Sequence, residues 1–280
     1  MSDMRLLRHL IIPLAVAVGG CGCADAADDY MALADSATYY IERSEWFRAE
    51  GCLVKALRLH PAYPGNSLLL SNLGIVRTHL HNYRDALQAY EAGLGIGRDS
   101  TSLLNNRAYT YLVIDHGEEA EKDLDVSLGI DSLQQWPLRM SGLLALRRGD
   151  TAKASRRFGS LVTHFPDDGN GYYGLGNLAL VEGDKEKALG YFTKSVEADP
   201  NEENLYQLIL LQADTGRLPE AYETARAAVR SYPKAGNLFA ALAYVYRLRY
   251  QYVESDEAKK IAVDNDADKE VIDALFPSPR

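Results

Sequence analysis

Residues 71–90 read SNLGIVRTHLHNYRDALQAY, and this stretch decides the fold. It contains a small residue, Gly74, a second small residue, Ala86, twelve positions later, and a large ring, Tyr90, four positions after that. Residues four apart lie on the same face of an α-helix, so Ala86 and Tyr90 share a face. Small residues on two facing helices let the backbones approach to about 8–10 Å, and the ring fills the groove beside them. The stretch therefore predicts two closely packed helices.

The same spacing recurs along the chain. Four alanines lie 34 residues apart, at Ala86, Ala120, Ala154 and Ala188. A large apolar residue follows each alanine by four positions, namely Tyr90, Leu124, Phe158 and Phe192. A small residue precedes each alanine by twelve positions, namely Gly74, Ala108, Gly142 and Gly176. A fixed period of this length predicts an array of helical repeats, in which each helix pair buries its apolar faces against its neighbours.

This pattern resembles the tetratricopeptide repeat, which has a small residue midway along its first helix, another in its second helix and a proline at its end. Four of the units close with a proline, at Pro61, Pro166, Pro200 and Pro233. Proline ends a helix because it lacks an amide proton and its ring clashes with a continuing helix. The resemblance implies an all-α fold, a right-handed solenoid of about seven helix-turn-helix repeats that serves as a binding scaffold.

The phase of the repeats predicts the domain boundaries. We expect a leader at 1–20, a tether at 21–29, the solenoid at 30–268 and a C-terminal cap and tail at 269–280. Three extra residues separate the first repeat from the second, and the repeat with Ala221 is one residue out of strict phase. The last repeat, from Gly236, is expected to be displaced by two more. A helix over Lys269–Leu275 is expected to cap the array.

The first residues follow a different pattern. Arg5 and Arg8 precede the mostly apolar run 10–18, which ends in Gly19-Gly20-Cys21. The run is much shorter than the ~20 apolar residues of a membrane-spanning helix, so it resembles an export signal. Small residues directly before a cysteine resemble the lipobox of bacterial lipoproteins, which implies that Cys21 is lipidated. Gly22, in place of the aspartate associated with inner-membrane retention, favours an outer-membrane lipoprotein that faces the periplasm.

A second cleavage site stays open. Ala24-Asp25-Ala26 fits the small-x-small rule of ordinary signal peptides, and cleavage there would release a soluble periplasmic protein that begins near Ala27. Cleavage before Cys21 would instead remove one aspartate and two arginines, so the net charge would move from −9 to −10. An acidic mature protein follows.

Composition and motifs argue against several classes of function. The net charge is −9, and lysine and arginine are scattered, so no basic stripe is available to neutralise nucleic-acid phosphates. Gly171, Gly174 and Gly176 imitate a nucleotide-binding loop but follow no strand. None of the six histidines pairs with another at four-residue spacing around a glutamate. We therefore expect no nucleic acid, no metal, no cofactor and no catalytic residue.

Helical periodicity predicts a partner-binding stripe on the concave face of the first helices. Its members are Asn105, Tyr109, Arg139, Tyr173, Asn177, Tyr206 and Tyr244. Amides hydrogen-bond an extended backbone, tyrosines combine rigid area with a polar end, and arginine can hold a carboxylate bidentately. The alternative is a solvated helix face, since the chain contains 18 tyrosines. The stripe lacks the several lysines and arginines of the family's carboxylate clamp, so a C-terminal peptide is not implied.

Two functional classes remain open. The first is a non-catalytic scaffold, tethered to the membrane through its lipid, that binds a protein or peptide partner. It would resemble the repeat lipoproteins that help to build pili, secretion channels or outer-membrane machinery. The second is a soluble periplasmic adaptor or accessory subunit that delivers clients to an enzyme such as a protease. A stoichiometric structural complex would favour the first class, and transient capture of a protease the second.

Overall fold

The computed structural model describes residues 24–277, with side chains from residue 29 onward, and these residues form helices joined by short turns. The α-helices are α1 Ala24–Glu42, α2 Trp46–Leu59, α3 Asn66–His79, α4 Tyr83–Ile96, α5 Thr101–Val113, α6 Gly117–Ile130, α7 Gln135–Arg147, α8 Thr151–His164, α9 Asn170–Val181, α10 Lys185–Ala198, α11 Glu202–Asp214, α12 Leu218–Ser231, α13 Gly236–Leu248, α14 Tyr252–Asp264 and α15 Lys269–Leu275. No strand occurs between residues 24 and 277. The predicted all-α repeat fold is confirmed, with seven helix pairs and α15 in this part of the chain.

The chain divides into two compact units, Met1–Pro137 and Leu138–Arg280. In the first unit the second helix of each pair packs on the first helix of the next, so α2 contacts α3 and α4 contacts α5. In the second unit α8 contacts α9, α10 contacts α11 and α12 contacts α13 in the same way. The apolar core of each unit therefore lies between consecutive helices.

The predicted contact of a small residue with a ring is present in the pairs α3–α4, α7–α8 and α9–α10. The four alanines of the 34-residue period, Ala86, Ala120, Ala154 and Ala188, are completely buried. A Cβ atom added at Gly142 would lie 2.6 Å from the ring of Phe158, and one added at Gly176 would lie 2.8 Å from the ring of Phe192. Real side chains do not approach so closely, so glycine at these positions lets the ring lie directly on the facing helix.

The turn inside each pair contains one residue in the left-handed conformation. In chain order these residues are Ser44, His81, Asp115, Gly149, Gly183, Gly216 and Tyr250, with φ between +58° and +81°. The interval after the first turn is three residues longer than 34, and the interval before Gly216 is one shorter, as the sequence predicted. The expectation of a further displacement in the last pair is wrong, because Tyr250 follows Gly216 by 34 residues. Its second helix carries the buried Ser255 where most pairs have alanine, so its sequence pattern is faint.

Amide side chains close the ends of second helices in both units. Asn66, the first residue of α3, donates from Nδ2 to the carbonyl oxygens of His60 at 2.6 Å and Pro61 at 3.1 Å. Asn204 in α11 donates from Nδ2 to the carbonyl oxygen of Asp199 at 2.7 Å. Carbonyls at a helix C-terminus have no partner inside the helix. Each amide therefore satisfies the end of one pair from the start of the next and fixes their packing.

Several second helices end just before the prolines that close the repeats. Four second helices stop two residues before a proline, at Leu59, His164, Ala198 and Ser231. A helix, α15, is present over the residues where we expected a cap, and its capping role stays a prediction. Helix α1 begins at Ala24, inside the segment 21–29 that we expected to be a tether. The leader 1–20 and the proposed lipid site Cys21 lie outside the described residues, so both stay predictions.

Among the described residues, no helix combines the length and the apolar character that crossing a bilayer requires.

A glycine-to-alanine pair tests the packing constraint. A Cβ atom at Gly174 on α9 would overlap the ring of Phe158, so Gly174→Ala should lower the free energy of unfolding by about 1–3 kcal/mol. Gly190→Ala on the exposed face of α10 is the matched control, because a Cβ atom there meets no atom within 4 Å. The control should raise the free energy of unfolding by about 0.5–1 kcal/mol. Urea denaturation of the full chain measures both, and equal midpoints would contradict the packing argument.

Candidate functional site

The seven residues of the predicted stripe divide between the two units. Asn105 and Tyr109 lie on α5 in the first unit. The other five lie in the second unit, with Arg139 on α7, Tyr173 and Asn177 on α9, Tyr206 on α11 and Tyr244 on α13. Each residue is therefore on the first helix of its pair, as predicted. Continuity of the stripe along the whole chain stays a prediction.

Polar side chains from three helices of the second unit meet around Tyr173. Arg139 on α7 places Nη2 3.8 Å from Oε2 of Glu203 on α11. Burial raises the pKa of the Tyr173 phenol, and the negative charge of Glu203 raises this pKa further. A hydrogen bond with Asn177 and the positive charge of Arg139 act in the opposite direction. These interactions place Arg139, Tyr173, Asn177 and Glu203 in one group, which we call the Tyr173 cluster.

The geometry of the cluster leaves hydrogen-bonding capacity for a ligand. At 3.8 Å the contact between Arg139 and Glu203 is an ion pair that is too long for a hydrogen bond. The side chain of Arg139 is 21% exposed and that of Glu203 is 59% exposed, so both reach solvent. The guanidinium therefore retains N–H donors and the carboxylate retains acceptor positions. A peptide backbone or side chain can use both.

The core of the second unit holds the ring of Tyr173 in place. Its ring packs edge-to-face on the buried ring of Phe192, with 5.7 Å between centroids and an interplanar angle of 62°. Aromatic pairs with this geometry are stabilised by the attraction between ring edge and ring face. Phe192 is the ring that packs against Gly176, so the same packing that holds the pair also orients the tyrosine of the cluster.

A second polar group lies farther along the same unit. Asn237 on α13 donates from Nδ2 to Oδ2 of Asp268 at 2.7 Å, and the amide of Asp268 donates to Oδ1 of Asn237 at 2.9 Å. Burial raises the pKa of the Tyr206 phenol, and the nearby charge of Asp268 raises it further. Tyr244 on α13 is half-buried against the core of this unit. The Tyr206 phenol therefore lies within the electrostatic influence of Asp268, which directly precedes α15.

In the first unit the structure gives Asn105 a packing role. Asn105 is buried and donates from Nδ2 to Oε1 of Gln134 at 2.8 Å. Gln134 in turn donates to carbonyl oxygens at the end of α6, on Ser127 at 3.1 Å and Asp131 at 2.8 Å. Tyr109 is half-buried, with its ring centroid 6.4 Å from that of Trp136. This side of α5 therefore presents Tyr109 to a ligand more than Asn105.

Sequence reasoning missed Glu203, Asn237 and Trp136. Arg139, Tyr206 and Ala240 occupy the same position in their repeats, and Trp136, Glu203 and Asn237 lie three residues before them, one turn nearer the start of each first helix. The intervals between successive residues in the series Trp136, Asn170, Glu203 and Asn237 are 34, 33 and 34 residues. Extending the repeat phase by one helical turn toward the N-terminus would have found them.

A groove of about 450 Å³ in the first unit is lined by Arg84, Leu87, Gln88, Glu91, Arg107, Tyr111 and Ile114. The Arg107 guanidinium in this groove already has a partner, because it donates two hydrogen bonds of 2.7 Å to the carboxylate of Asp123. These bonds raise the pKa of the Arg107 guanidinium. In the described part of the chain no group of three or more histidine, cysteine or acidic side chains is arranged to hold a metal ion.

Comparisons with known proteins agree with this architecture. Residues 139–203, from α7 to the start of α11, match the family model of the tetratricopeptide repeat. The comparison with curated protein sequences gave no match. The prediction that the chain carries tetratricopeptide repeats is confirmed by the family model and by the fold.

Solved structures share the fold over most of the chain. A tetratricopeptide repeat protein from Parabacteroides merdae is 22% identical, with a TM-score of 0.70 over 89% of this chain and 98% of that chain. The Pseudomonas aeruginosa pilF protein is 19% identical, with a TM-score of 0.62 over 76% of this chain and 96% of that chain. PilW, described as a widely conserved type IV pilus biogenesis factor, is 16% identical, with a TM-score of 0.62 over 78% and 98% of the two chains. At these identities the likeness shows the fold.

Alanine substitutions at Asn105 and Asn177 distinguish an asparagine with a packing role from one at the surface. Asn105→Ala should lower the free energy of unfolding by about 1–2 kcal/mol, because Gln134 loses a buried hydrogen-bond donor. Asn177 lies on the first helix of another pair and is half-buried beside Tyr173. Asn177→Ala should therefore change the free energy of unfolding by about 0.5 kcal/mol or less. Urea denaturation of the two variants measures the difference. A larger loss at Asn177 than at Asn105 would reverse these assignments.

Proposed function

We propose that the protein is a non-catalytic scaffold of the bacterial cell envelope, which binds a peptide or a helix of a partner protein on the first helices of its second unit. The observation that carries the proposal is the Tyr173 cluster. It combines a cation, an anion, an amide and an oriented aromatic ring on α7, α9 and α11. Repeat solenoids use surfaces of this kind for binding other proteins.

The cluster fits a protein ligand because its groups complement a polypeptide. A partner carboxylate can take the N–H donors of Arg139 in place of the long contact with Glu203. A partner amide N–H or a basic side chain can then bind the released Glu203 carboxylate. Tyr173 supplies rigid contact area, and tyrosine and arginine are enriched among residues that dominate binding energy. Because the cation lies on α7 and the anion on α11, the cluster favours partners that carry an acidic and a basic group in matching order.

The tether is supported by the sequence. Arg5, Arg8, the apolar run and Gly19-Gly20-Cys21 resemble a lipoprotein leader. PilW has the same fold and is described as a type IV pilus biogenesis factor, which makes an envelope assembly one class of partner to test. A lipidated Cys21 would hold α1 close to the bilayer, since only two residues separate it from Ala24.

Cys21→Ser tests the anchor. In a Gram-negative host, the wild-type chain should fractionate with membranes, and its intact mass should show a lipid-modified Cys21 as the first residue. Cys21→Ser should lose both properties, because serine has no thiol to alkylate. Recovery of a soluble wild-type chain that begins near Ala27 would contradict the anchor and support the soluble periplasmic alternative.

A photo-crosslinking residue at position 177 tests the binding face. We expect discrete adducts in intact cells, because Asn177 lies beside Tyr173. The same residue at Gly190, on the exposed face of α10, is the control and should give none. Adding Tyr173→Ala should weaken the interaction by about 1–2 kcal/mol, or roughly tenfold. Tyr172→Ala, the neighbouring tyrosine on the same helix, should leave it unchanged.

The outcomes separate the two functional classes. A stoichiometric complex of envelope proteins in the adducts supports the scaffold. Transient adducts with a protease and varied clients support the soluble adaptor instead. Equal adducts from positions 177 and 190, or none from position 177, would show that the Tyr173 cluster is not the binding face.

A further inference from the structure

Three large side chains at the turn between α13 and α14 are mostly exposed to solvent. Tyr250 is 80% exposed, Tyr252 is 59% exposed and Val253 is 71% exposed. The rings of Tyr250 and Tyr252 pack edge-to-face, with 6.4 Å between centroids. Aromatic side chains of this kind supply most of the energy at protein interfaces when they become buried.

Tyr250 also adopts an unfavourable backbone conformation. Its φ is +62°, in the left-handed region, at the position where the three preceding turns of the second unit have Gly149, Gly183 and Gly216. Glycine adopts this conformation without steric cost, whereas a bulky residue there is rare. The turn itself does not require a tyrosine, and backbone strain of this kind concentrates at functional sites. The fold alone therefore does not account for this side chain.

Two arginines next to this turn have no acidic partner in the part of the chain that the structure describes. The Arg249 guanidinium stacks on the ring of Tyr222 at 3.8 Å from the centroid, and the Arg226 guanidinium lies 5.4 Å from the same centroid. Both side chains are exposed, and no carboxylate among the described residues lies within ion-pair distance of either. The nearby Glu254 instead accepts a hydrogen bond from Gln251 at 3.4 Å.

We propose that this turn is a second interaction surface, which binds a protein segment that carries carboxylates next to an aromatic or apolar side chain. The Tyr250 surface consists of Tyr222, Arg226, Arg249, Tyr250, Tyr252 and Val253. The stacked arginines are oriented by Tyr222 and keep their N–H donors for carboxylates. The exposed Tyr250, Tyr252 and Val253 supply the apolar contact. Acidic groups alone would leave this apolar area exposed, and apolar groups alone would leave the guanidiniums unpaired.

The surface is independent of the Tyr173 cluster. Its residues come from α12, from the turn after α13 and from the start of α14, whereas the cluster is built on α7, α9 and α11. The protein can therefore hold two partners through two surfaces of different chemistry. Loss of one need not affect the other.

Selection from a displayed library of random peptides tests the proposal. The full chain serves as bait, and the variant Arg226→Gln/Arg249→Gln serves as the parallel bait that lacks both charges. Peptides enriched on the wild-type chain should place aspartate or glutamate beside aromatic or apolar residues. Their affinity should fall about tenfold or more on the variant bait. Absence of any peptide that distinguishes the two baits would overturn the proposal.

Tyr250→Gly separates binding from folding. Glycine is the residue of the three preceding turns, so the melting temperature should stay equal or rise. Binding of the selected peptides should nevertheless weaken about tenfold or more, because the exposed ring is lost. Unchanged binding would overturn the proposal.

Two further measurements separate this surface from the Tyr173 cluster and from a contact between copies of the chain. Tyr173→Ala should leave binding of the selected peptides unchanged, and a loss there would assign them to the Tyr173 cluster and overturn the second surface. Sedimentation velocity of the wild-type chain should show no self-association that Tyr250→Gly removes. Such self-association would make the surface a contact between copies of this chain and would overturn the proposed acidic partner.

Discussion

The close contact of a glycine with an aromatic ring inside the pairs α3–α4, α7–α8 and α9–α10 is the constraint on which the rest of the structure depends. Glycine at Gly142 and Gly176 leaves no Cβ atom between the helix and the rings of Phe158 and Phe192. The two helices can then pack closely, and the next pair stacks on the surface that they form. The contact between Arg139 and Glu203 spans α9. It exists only because α7, α9 and α11 are spaced closely by this packing.

The turns are constrained in a different way. Each needs one left-handed residue, but its side chain points away from the core, so packing does not select its type. Serine, histidine, aspartate, glycine and tyrosine all occupy the position. The backbone alone favours glycine or a short polar residue there. A tyrosine in this position is consequently not explained by the fold, whereas Gly176 is explained by it completely.

The sequence predicted the repeated contacts well because they are local and periodic. The alanine period, the prolines and the residues four apart all act within one helix pair, and the structure places them as expected. It predicted the candidate site only in part. Asn105 fits the phase of the stripe, yet Gln134 lies close enough to engage it, which periodicity does not reveal. Glu203 belongs to the cluster because it faces Arg139 across another helix, and such a pairing depends on the spacing of three helices.

The repeat position that contributes most of the proposed binding residues lies beside the position that carries packing. Asn105, Arg139, Tyr173 and Tyr206 occupy one repeat position on successive first helices. Three residues later, three of these helices have a small residue, Ala108, Gly142 or Gly176. Residues three apart on a helix point to neighbouring sides, so one can remain small while the other varies without disturbing the core. Within each unit, repetition of the packing position therefore holds a row of side chains at fixed spacing, and the identity of these side chains can vary without changing that spacing.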